Sequence, residues 1–157
     1  MAVRKVDVVL VGGGVMSATL GMLLRQLDPS LKILLVEKLD HVAHESTYGW
    51  NNAGTGHAGN CELNYTPELA DGRIDISKAL SINASFEITL QFWASLVEKG
   101  LLPAPGRFIN RTPHLSFVWG DKEVAFLKQR HALMSAHHLF RDMTFSTDPT
   151  QLTDWMP

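Results

Sequence analysis

Residues 6–17 read Val-Asp-Val-Val-Leu-Val-Gly-Gly-Gly-Val-Met-Ser and join a short apolar run to three glycines. The run over 6–11 is rich in β-branched residues, which is typical of a buried parallel strand. Leucines then recur at helical spacing up to Asp28-Pro29, which predicts the end of a helix because the residue before a proline is disfavoured in helical conformation. A second apolar run follows over 32–37. The order strand, glycine turn, helix, strand predicts one right-handed βαβ unit.

This order favours the binding of a dinucleotide. Gly12 permits a tight turn, and Gly14 lets the backbone approach a pyrophosphate closely, while the positive end of the helix dipole favours the phosphates. Ser17 stands where a third glycine is usual and is still small. Glu37 ends the second strand, where its carboxylate can accept hydrogen bonds from ribose hydroxyls, which favours an unphosphorylated ribose over NADP. The alternative is a simple tight turn with a solvated glutamate.

The composition excludes several classes of protein. The chain has 157 residues, 45% hydrophobic and 19% charged, which is unlike a disordered chain, a collagen-like repeat or a coiled coil. A net charge of −2 leaves no basic surplus for nucleic acid. Cys61 is the single cysteine, so no internal disulfide can form. Because the N-terminus is too short and too charged for a signal peptide, a cytoplasmic location is expected.

The rest of the chain alternates between irregular and periodic segments. Residues 40–75 are rich in Gly, Asn, Thr, His and Asp and have no sustained period, which is typical of a functional or disordered segment. The later segments predict, in chain order, a helix over 77–99, a strand over 114–119, a helix over 121–138, a short strand over 143–146 and a helix with Asp148 as its N-cap and Pro149 at its first position.

A second polar constellation extends over residues 46–57 and offers hydroxyls, amides, glycines and a histidine. It comes where a dinucleotide bound to the βαβ unit would pass from its pyrophosphate to its reactive ring. Small residues allow backbone contact, and the amides and hydroxyls can donate hydrogen bonds to phosphate or ring oxygens. The alternative is a polar surface loop, and the position after the βαβ unit favours a site.

Four segments carry a resemblance to a known family. They are the run over 8–37, Gly49-Trp50-Asn51-Asn52-Ala53-Gly54-Thr55-Gly56-His57, Glu62-Leu63-Asn64-Tyr65-Thr66-Pro67 and Pro113-His114-Leu115-Ser116-Phe117-Val118-Trp119-Gly120. In these segments the chain closely resembles the N-terminal part of malate:quinone oxidoreductases, and the likeness covers essentially residues 1–157. The run from Trp50 to His57 is far more specific than the glycine turn, which very many flavoproteins share.

The resemblance implies an FAD-dependent enzyme of the tricarboxylic acid cycle, peripheral on the cytoplasmic face of the membrane, that oxidises malate to oxaloacetate and passes electrons to quinone. The implied fold is α/β, a Rossmann-like FAD-binding domain with parallel strands and the incomplete start of a helical and β substrate-side region. Residues 1–75 would form the dinucleotide-binding unit and a flavin-side loop, and residues 76–157 a helix-rich substrate-side segment. Because members of the family are several hundred residues long, the chain resembles an N-terminal fragment that is expected to be inactive alone.

The resemblance also implies roles for particular residues. The FAD pyrophosphate would lie against Gly12, Gly13, Gly14 and Ser17, the adenosine ribose against Glu37 with Lys38 beside it, and the pyrophosphate and flavin side along Ser46, Thr47, Asn52 and Gly54. Malate oxidation needs a base for the hydroxyl proton and cations for two carboxylates. His57 and His114 are candidates for the base, although a structural histidine is the favoured alternative for each. Arg107 and Arg111 could bind a carboxylate, although solvated surface arginines are the favoured interpretation.

The remaining histidines predict no metal site. His41 and His44 are three residues apart and His137 and His138 are adjacent, but neither pair has carboxylate or cysteine partners at metal-ligand spacing, so both are interpreted as surface residues. Cys61 is interpreted as a passive small residue. Two alternative functions stay open: a flavin dehydrogenase or oxidase of another 2-hydroxy acid, and a nucleotide-binding fragment without catalysis.

Overall fold

The computed structural model describes residues 5–54, 56–60 and 62–156. These residues form two compact units, one up to residue 54 and one from Gly56 onward. The boundary expected after residue 75 separates a dinucleotide-binding segment from a substrate-side segment, and this division of function stays a prediction.

The first unit is the βαβ unit that the glycine turn predicts. Strand β1 covers Val8–Val11, helix α1 covers Val15–Leu27 and strand β2 covers Ile33–Val36. The two strands are parallel, with Val8 opposite Ile33 and Val11 opposite Val36. Both strands are shorter than the apolar runs that predict them, and α1 ends before Asp28-Pro29 as expected. The predicted α/β class and the parallel pairing are confirmed.

The glycine turn fits α1 closely onto the sheet. Gly12 has a φ of +92°, a left-handed conformation that favours glycine, and its N–H donates to the Val36 carbonyl oxygen at 2.8 Å. Further along α1, a Cβ on Gly21 would lie 3.0 Å from Leu10 Cδ1. Leu10 is the one strand residue described as buried, so α1 covers the sheet at this point.

The second unit contains three helices around a small apolar core. Helix α2 covers Ser77–Glu98, α3 covers Asp121–Ser135 and α4 covers Pro149–Trp155, while 3₁₀ turns lie at Leu63–Tyr65, Pro105–Arg107 and His138–Phe140. Ala79, Met134 and Phe140 form the buried centre, and Tyr65 and Met143 pack against it. None of the described helices combines the length and apolarity that crossing a membrane requires.

The three helices of this unit confirm the three helices predicted from the sequence, and α3 is shorter than predicted at its C-terminal end. The second of them, α3, stops at Ser135, before the expected end at residue 138. The third begins where its signal predicts, because the Asp148 side chain accepts a hydrogen bond from the Thr150 N–H at 2.9 Å and Pro149 occupies the first position.

Two of the predicted strands are wrong. Residues 114–119 and 143–146 belong to no strand. An apolar run becomes a strand only with a neighbour for its backbone N–H and C=O groups, and no other strand among the described residues pairs with either segment. Without such a neighbour, Phe117 and Trp119 are exposed, and the Met143 carbonyl oxygen accepts from His131 Nε2 at 3.0 Å instead.

The segment 56–60 packs directly on the backbone of α2. Gly59 has a φ of +81°, and a Cβ on it would lie 2.6 Å from the Ala79 carbonyl oxygen. Beside this contact, Asn83 Nδ2 donates to the Ala58 carbonyl oxygen at 2.9 Å. Glycine is therefore required at residue 59 both by its conformation and by the space available.

We expect Gly59→Ala to destabilise the protein more than Gly72→Ala. Gly72 has a nearly equal φ of +80°, but nothing lies within 4 Å of a Cβ there. Gly72→Ala should cost about 1–2 kcal/mol of unfolding free energy from the left-handed conformation alone. Gly59→Ala should add about 1–3 kcal/mol from overpacking. Urea denaturation of both variants measures the difference, and equal losses would contradict the close contact with Ala79.

Candidate functional site

The carboxyl ends of β1 and β2 open into a cavity of about 520 Å³. It is lined by residues 11–14, 36–38 and 43–47, which are the glycine turn, the end of β2 and the loop that follows. In open α/β sheets ligands bind outside the carboxyl ends of the strands, next to helix N-termini. The cavity lies entirely within the first unit, and the position is the one that the glycine turn predicts.

Glu37 is hydrogen-bonded to the glycine turn. Its Oε2 accepts from the Gly13 N–H at 2.6 Å, and its Oε1 accepts from the Leu39 N–H at 3.0 Å. The hydrogen bond from Gly13 first, and the one from Leu39 second, lower the pKa of the Glu37 carboxyl below its ordinary value. The Glu37 carboxylate therefore occupies one backbone donor of the turn, the Gly13 N–H.

The loop over residues 40–48 is bound to the same turn. Thr47 Oγ1 accepts from the Val15 N–H at 3.0 Å, at the first turn of α1. The Ala43 N–H donates to the Gly13 carbonyl oxygen at 3.0 Å. Among the described residues, no acceptor pairs with the N–H of Gly14. That donor, at the positive end of the α1 dipole, is available for an anionic ligand.

Most of the predicted cofactor residues come together at this cavity. Its lining includes Gly12, Gly13, Gly14, Glu37, Lys38, Ser46 and Thr47. Ser17 instead lines a separate hollow of about 380 Å³ between α1 and the sheet, with apolar neighbours such as Leu10 and Ile33. The packing role expected of this small residue and its contact with a pyrophosphate both stay predictions.

Asn52 and Gly54 are not part of that lining. Asn52 Nδ2 donates to the carbonyl oxygens of Ser46 at 3.0 Å and Tyr48 at 2.8 Å, and its Oδ1 accepts from the Gly54 N–H at 2.6 Å. The amide therefore holds its own loop together, and direct contact of either residue with a cofactor stays a prediction. Thr55, within the specific run, and Cys61 lie outside the described residues.

The two candidate bases differ in their surroundings. His57 is half-buried, its ring stacks on Tyr65 with the centroids 5.8 Å apart, and its Nδ1 is buried without a hydrogen-bond partner among the described residues. Lys78 Nζ also lies over the Tyr65 ring, 4.8 Å from its centroid. His114 is exposed, and its Nε2 lies 3.3 Å from Ser116 Oγ. The half-buried ring, restricted by its stack on Tyr65, makes His57 the stronger candidate of the two.

One buried arginine, Arg130, is not among the residues predicted from the sequence. Arg107 and Arg111 are exposed, whereas Arg130 is only 3% exposed. Its Nε donates to Thr66 Oγ1 at 2.8 Å, and burial lowers the pKa of its guanidinium. Thr66 in turn donates to the Leu63 carbonyl oxygen at 3.0 Å, so Arg130 ties α3 to the 3₁₀ turn that contains Tyr65.

A signal for this arginine is present in the sequence. Arg130 lies three residues after Leu127 and four before Met134, on the apolar side of α3. A charged residue in an apolar stripe at helical spacing is expected to be buried and to need a polar partner. That partner, Thr66, is distant in the sequence and could not be assigned from it.

The interpretation of His41 and His44 needs one correction. Both are exposed as expected, but the statement that they lack a carboxylate partner is wrong. Asp40 Oδ1 lies 3.9 Å from His41 Nε2 and 3.7 Å from His44 Nδ1. Asp40 directly precedes His41 and lies four residues before His44, and the loop conformation, in which Ala43 has a φ of 59°, places the three side chains together.

The known proteins that this chain is similar to share one family name. Residues 4–157 match the family described as malate:quinone oxidoreductase (Mqo). The chain is 71% identical over 157 residues to a probable malate:quinone oxidoreductase of Hahella chejuensis, covering 100% of this chain and 32% of the relative. It is 66% identical over 151 residues to one of Methylobacillus flagellatus, covering 96% and 31%. For probable malate:quinone oxidoreductase 1 of Pseudomonas aeruginosa the identity is 58% over 154 residues, covering 98% and 29%. The chain thus spans about a third of the length of these relatives.

The stabilising effect of Glu37 should depend on pH in a defined direction. Since folding lowers the pKa of this carboxyl, its contribution is fully present above the pKa of the unfolded chain and is lost as the pH falls through the folded value. Glu37→Gln should therefore lower the melting temperature at pH 7, and the gap to the unmodified protein should narrow below about pH 4. Melting curves at several pH values measure the gap, and a gap that stays constant would contradict an ionised Glu37 on the glycine turn.

Proposed function

Because the chain belongs to the malate:quinone oxidoreductase family, we propose that the whole protein oxidises malate to oxaloacetate with a quinone as electron acceptor. The observation that supports this most is the match over residues 4–157, together with 71% identity to a relative of that name. The reaction removes a hydride from C2 of malate and a proton from its hydroxyl, and the two electrons and two protons convert the quinone to a quinol. In the tricarboxylic acid cycle this step supplies oxaloacetate.

We propose that the cavity at the glycine turn holds FAD. Three features of the residues present fit an adenine dinucleotide: the left-handed Gly12, the available N–H of Gly14 and the ionised Glu37 at the end of β2. Glu37 would accept hydrogen bonds from the ribose hydroxyls, while Gly14, with Lys38 nearby, would bind the pyrophosphate. When bound, the flavin supplies the hydride acceptor.

For the proton we propose His57. An alcohol gives up its proton to a base positioned next to it, and histidine is the side chain that serves most often as such a base. The stack on Tyr65 restricts the ring, which would keep the base oriented towards its substrate. His114 is the weaker candidate because it is exposed and contacts only Ser116 among the described groups.

We also propose that the whole protein works in the cytoplasm or on the cytoplasmic face of the membrane. A quinone is dissolved in lipid, so an enzyme that reduces it must reach the membrane surface. Malate, by contrast, is a water-soluble dianion. A peripheral position gives access to both substrates.

A second candidate function belongs to this chain by itself. The cavity is formed by residues 11–14, 36–38 and 43–47, all within the first unit. A nucleotide-binding fragment without catalysis is therefore consistent with the same geometry.

The choice of substrate can be tested on the whole protein. We expect malate to reduce the bound flavin without oxygen, seen as loss of its visible absorption, and a soluble quinone to restore it. Lactate and 2-hydroxyglutarate serve as matched 2-hydroxy acids and should reduce the flavin far more slowly. Faster reduction by either would assign the protein to another 2-hydroxy acid.

The role of Glu37 predicts a loss of cofactor affinity. Glu37→Gln in the whole protein should weaken FAD binding about tenfold or more, because hydrogen bonds to a charged group contribute about 1.5–3 kcal/mol and 1.4 kcal/mol is a factor of ten. Flavin fluorescence during titration measures the dissociation constant. Glu45→Gln is the control, since Glu45 lines the same cavity but its carboxylate binds only its neighbour Ser46. Equal affinity of the Glu37→Gln variant and the unmodified protein would contradict the ribose assignment.

A further inference from the structure

The loop after β2 contains a cluster of polar side chains that is chemically distinct from the glycine turn. Asp40, His41 and His44 each present one ligand atom, and these atoms all lie within 4.8 Å of one another. All three residues are exposed, so an ion can reach them from solvent. Two imidazoles and a carboxylate are a donor set that suits divalent transition metals such as Zn²⁺.

The backbone fixes which nitrogen of His41 is available. His41 Nδ1 lies 3.0 Å from the Val42 carbonyl oxygen. Because a carbonyl oxygen can only accept, Nδ1 must carry the hydrogen and Nε2 of the neutral ring keeps its lone pair. Nε2 is the atom that lies 3.9 Å from Asp40 Oδ1. A histidine that binds metal commonly donates its other N–H to a carbonyl or carboxylate in this way.

The loop itself is bound at both sides of the cluster. Ala43, with its left-handed φ of 59°, donates its N–H to the Gly13 carbonyl oxygen at 3.0 Å. His44 lies edge-on against the Tyr48 ring at 5.1 Å and stacks on His41 at 3.9 Å. These contacts place the two imidazoles side by side, close to Asp40.

From this geometry we propose that Asp40, His41 and His44 form a binding site for a divalent transition metal, with Zn²⁺ as the reference ion. Ligand atoms at 2.0–2.1 Å from a tetrahedral zinc are about 3.4 Å apart. The observed distances from Asp40 Oδ1 are 3.9 and 3.7 Å, and all three ligand atoms lie within 4.8 Å of one another. The side chains therefore need to close around the ion, and the two rings need to leave their stacked arrangement. The exposed side chains are free to make this movement.

A bound ion would tie the loop together next to the glycine turn. Three ligands leave a fourth position for water. His44 is also part of the lining of the cavity at the glycine turn. The argument for the metal does not rest on the proposed malate oxidation, because the donor atoms are complete without any bound substrate.

The test is a calorimetric titration of the whole protein with ZnCl₂, purified without a histidine tag and freed of metal. We expect one zinc per chain, and a higher melting temperature in its presence. Asp40→Asn, His41→Asn and His44→Asn should each weaken binding about tenfold or more. His138→Asn is the matched control, because the exposed His138 and the half-buried His137 also have adjacent rings, 4.5 Å apart, but belong to no described metal-ligand group.

A second measurement does not depend on variants. The electron paramagnetic resonance spectrum of the protein with one equivalent of Cu²⁺ should show two coordinated imidazole nitrogens. The proposal is overturned if the protein binds no zinc at millimolar concentration, if binding survives the three substitutions, if His138→Asn removes it equally, or if the copper spectrum shows fewer than two nitrogens.

Discussion

The hydrogen bond from the Gly13 N–H to the Glu37 carboxylate, 2.6 Å long, joins the end of β2 to the turn between β1 and α1. It brings a charged oxygen to the buried Gly13, next to the positive end of the α1 dipole. The loop after β2 then closes on the same turn through Thr47 and Ala43. Three separate segments are in this way gathered around one cavity, and both the proposed cofactor site and the proposed metal site depend on that arrangement.

The second unit is organised around close contacts with α2 and α3. Gly59 lies against the α2 backbone at Ala79, and the buried Arg130 of α3 is hydrogen-bonded to Thr66. These contacts fix residues 56–60 and 62–66, which include His57 and the Tyr65 ring on which it stacks. A buried cation needs a hydrogen-bonded partner to offset its lost hydration, and the Thr66 hydroxyl provides one. The candidate base, His57, is therefore held in place by contacts with residues that are distant from it in the sequence.

The features that the sequence predicts well are those with a local cause. The βαβ unit follows from apolar runs and a glycine turn, and the start of α4 follows from Asp148 and Pro149. The strand assigned to 114–119 is wrong because a strand also needs a partner, and alternating apolar residues do not supply one. The burial of Arg130 depends on its contact with Thr66, which is distant in the sequence, and the Asp40 cluster depends on the local conformation of its loop. Residue spacing alone does not contain that information.

The glycine turn and Glu37 are together proposed to bind the adenosine and pyrophosphate part of FAD. The most direct test is a crystal structure of the whole protein with its flavin bound. We expect ribose hydroxyls within hydrogen-bond distance of the Glu37 carboxylate, and a pyrophosphate oxygen on the Gly14 N–H. A dinucleotide bound elsewhere, with Glu37 in contact only with Gly13 and Leu39, would contradict this assignment.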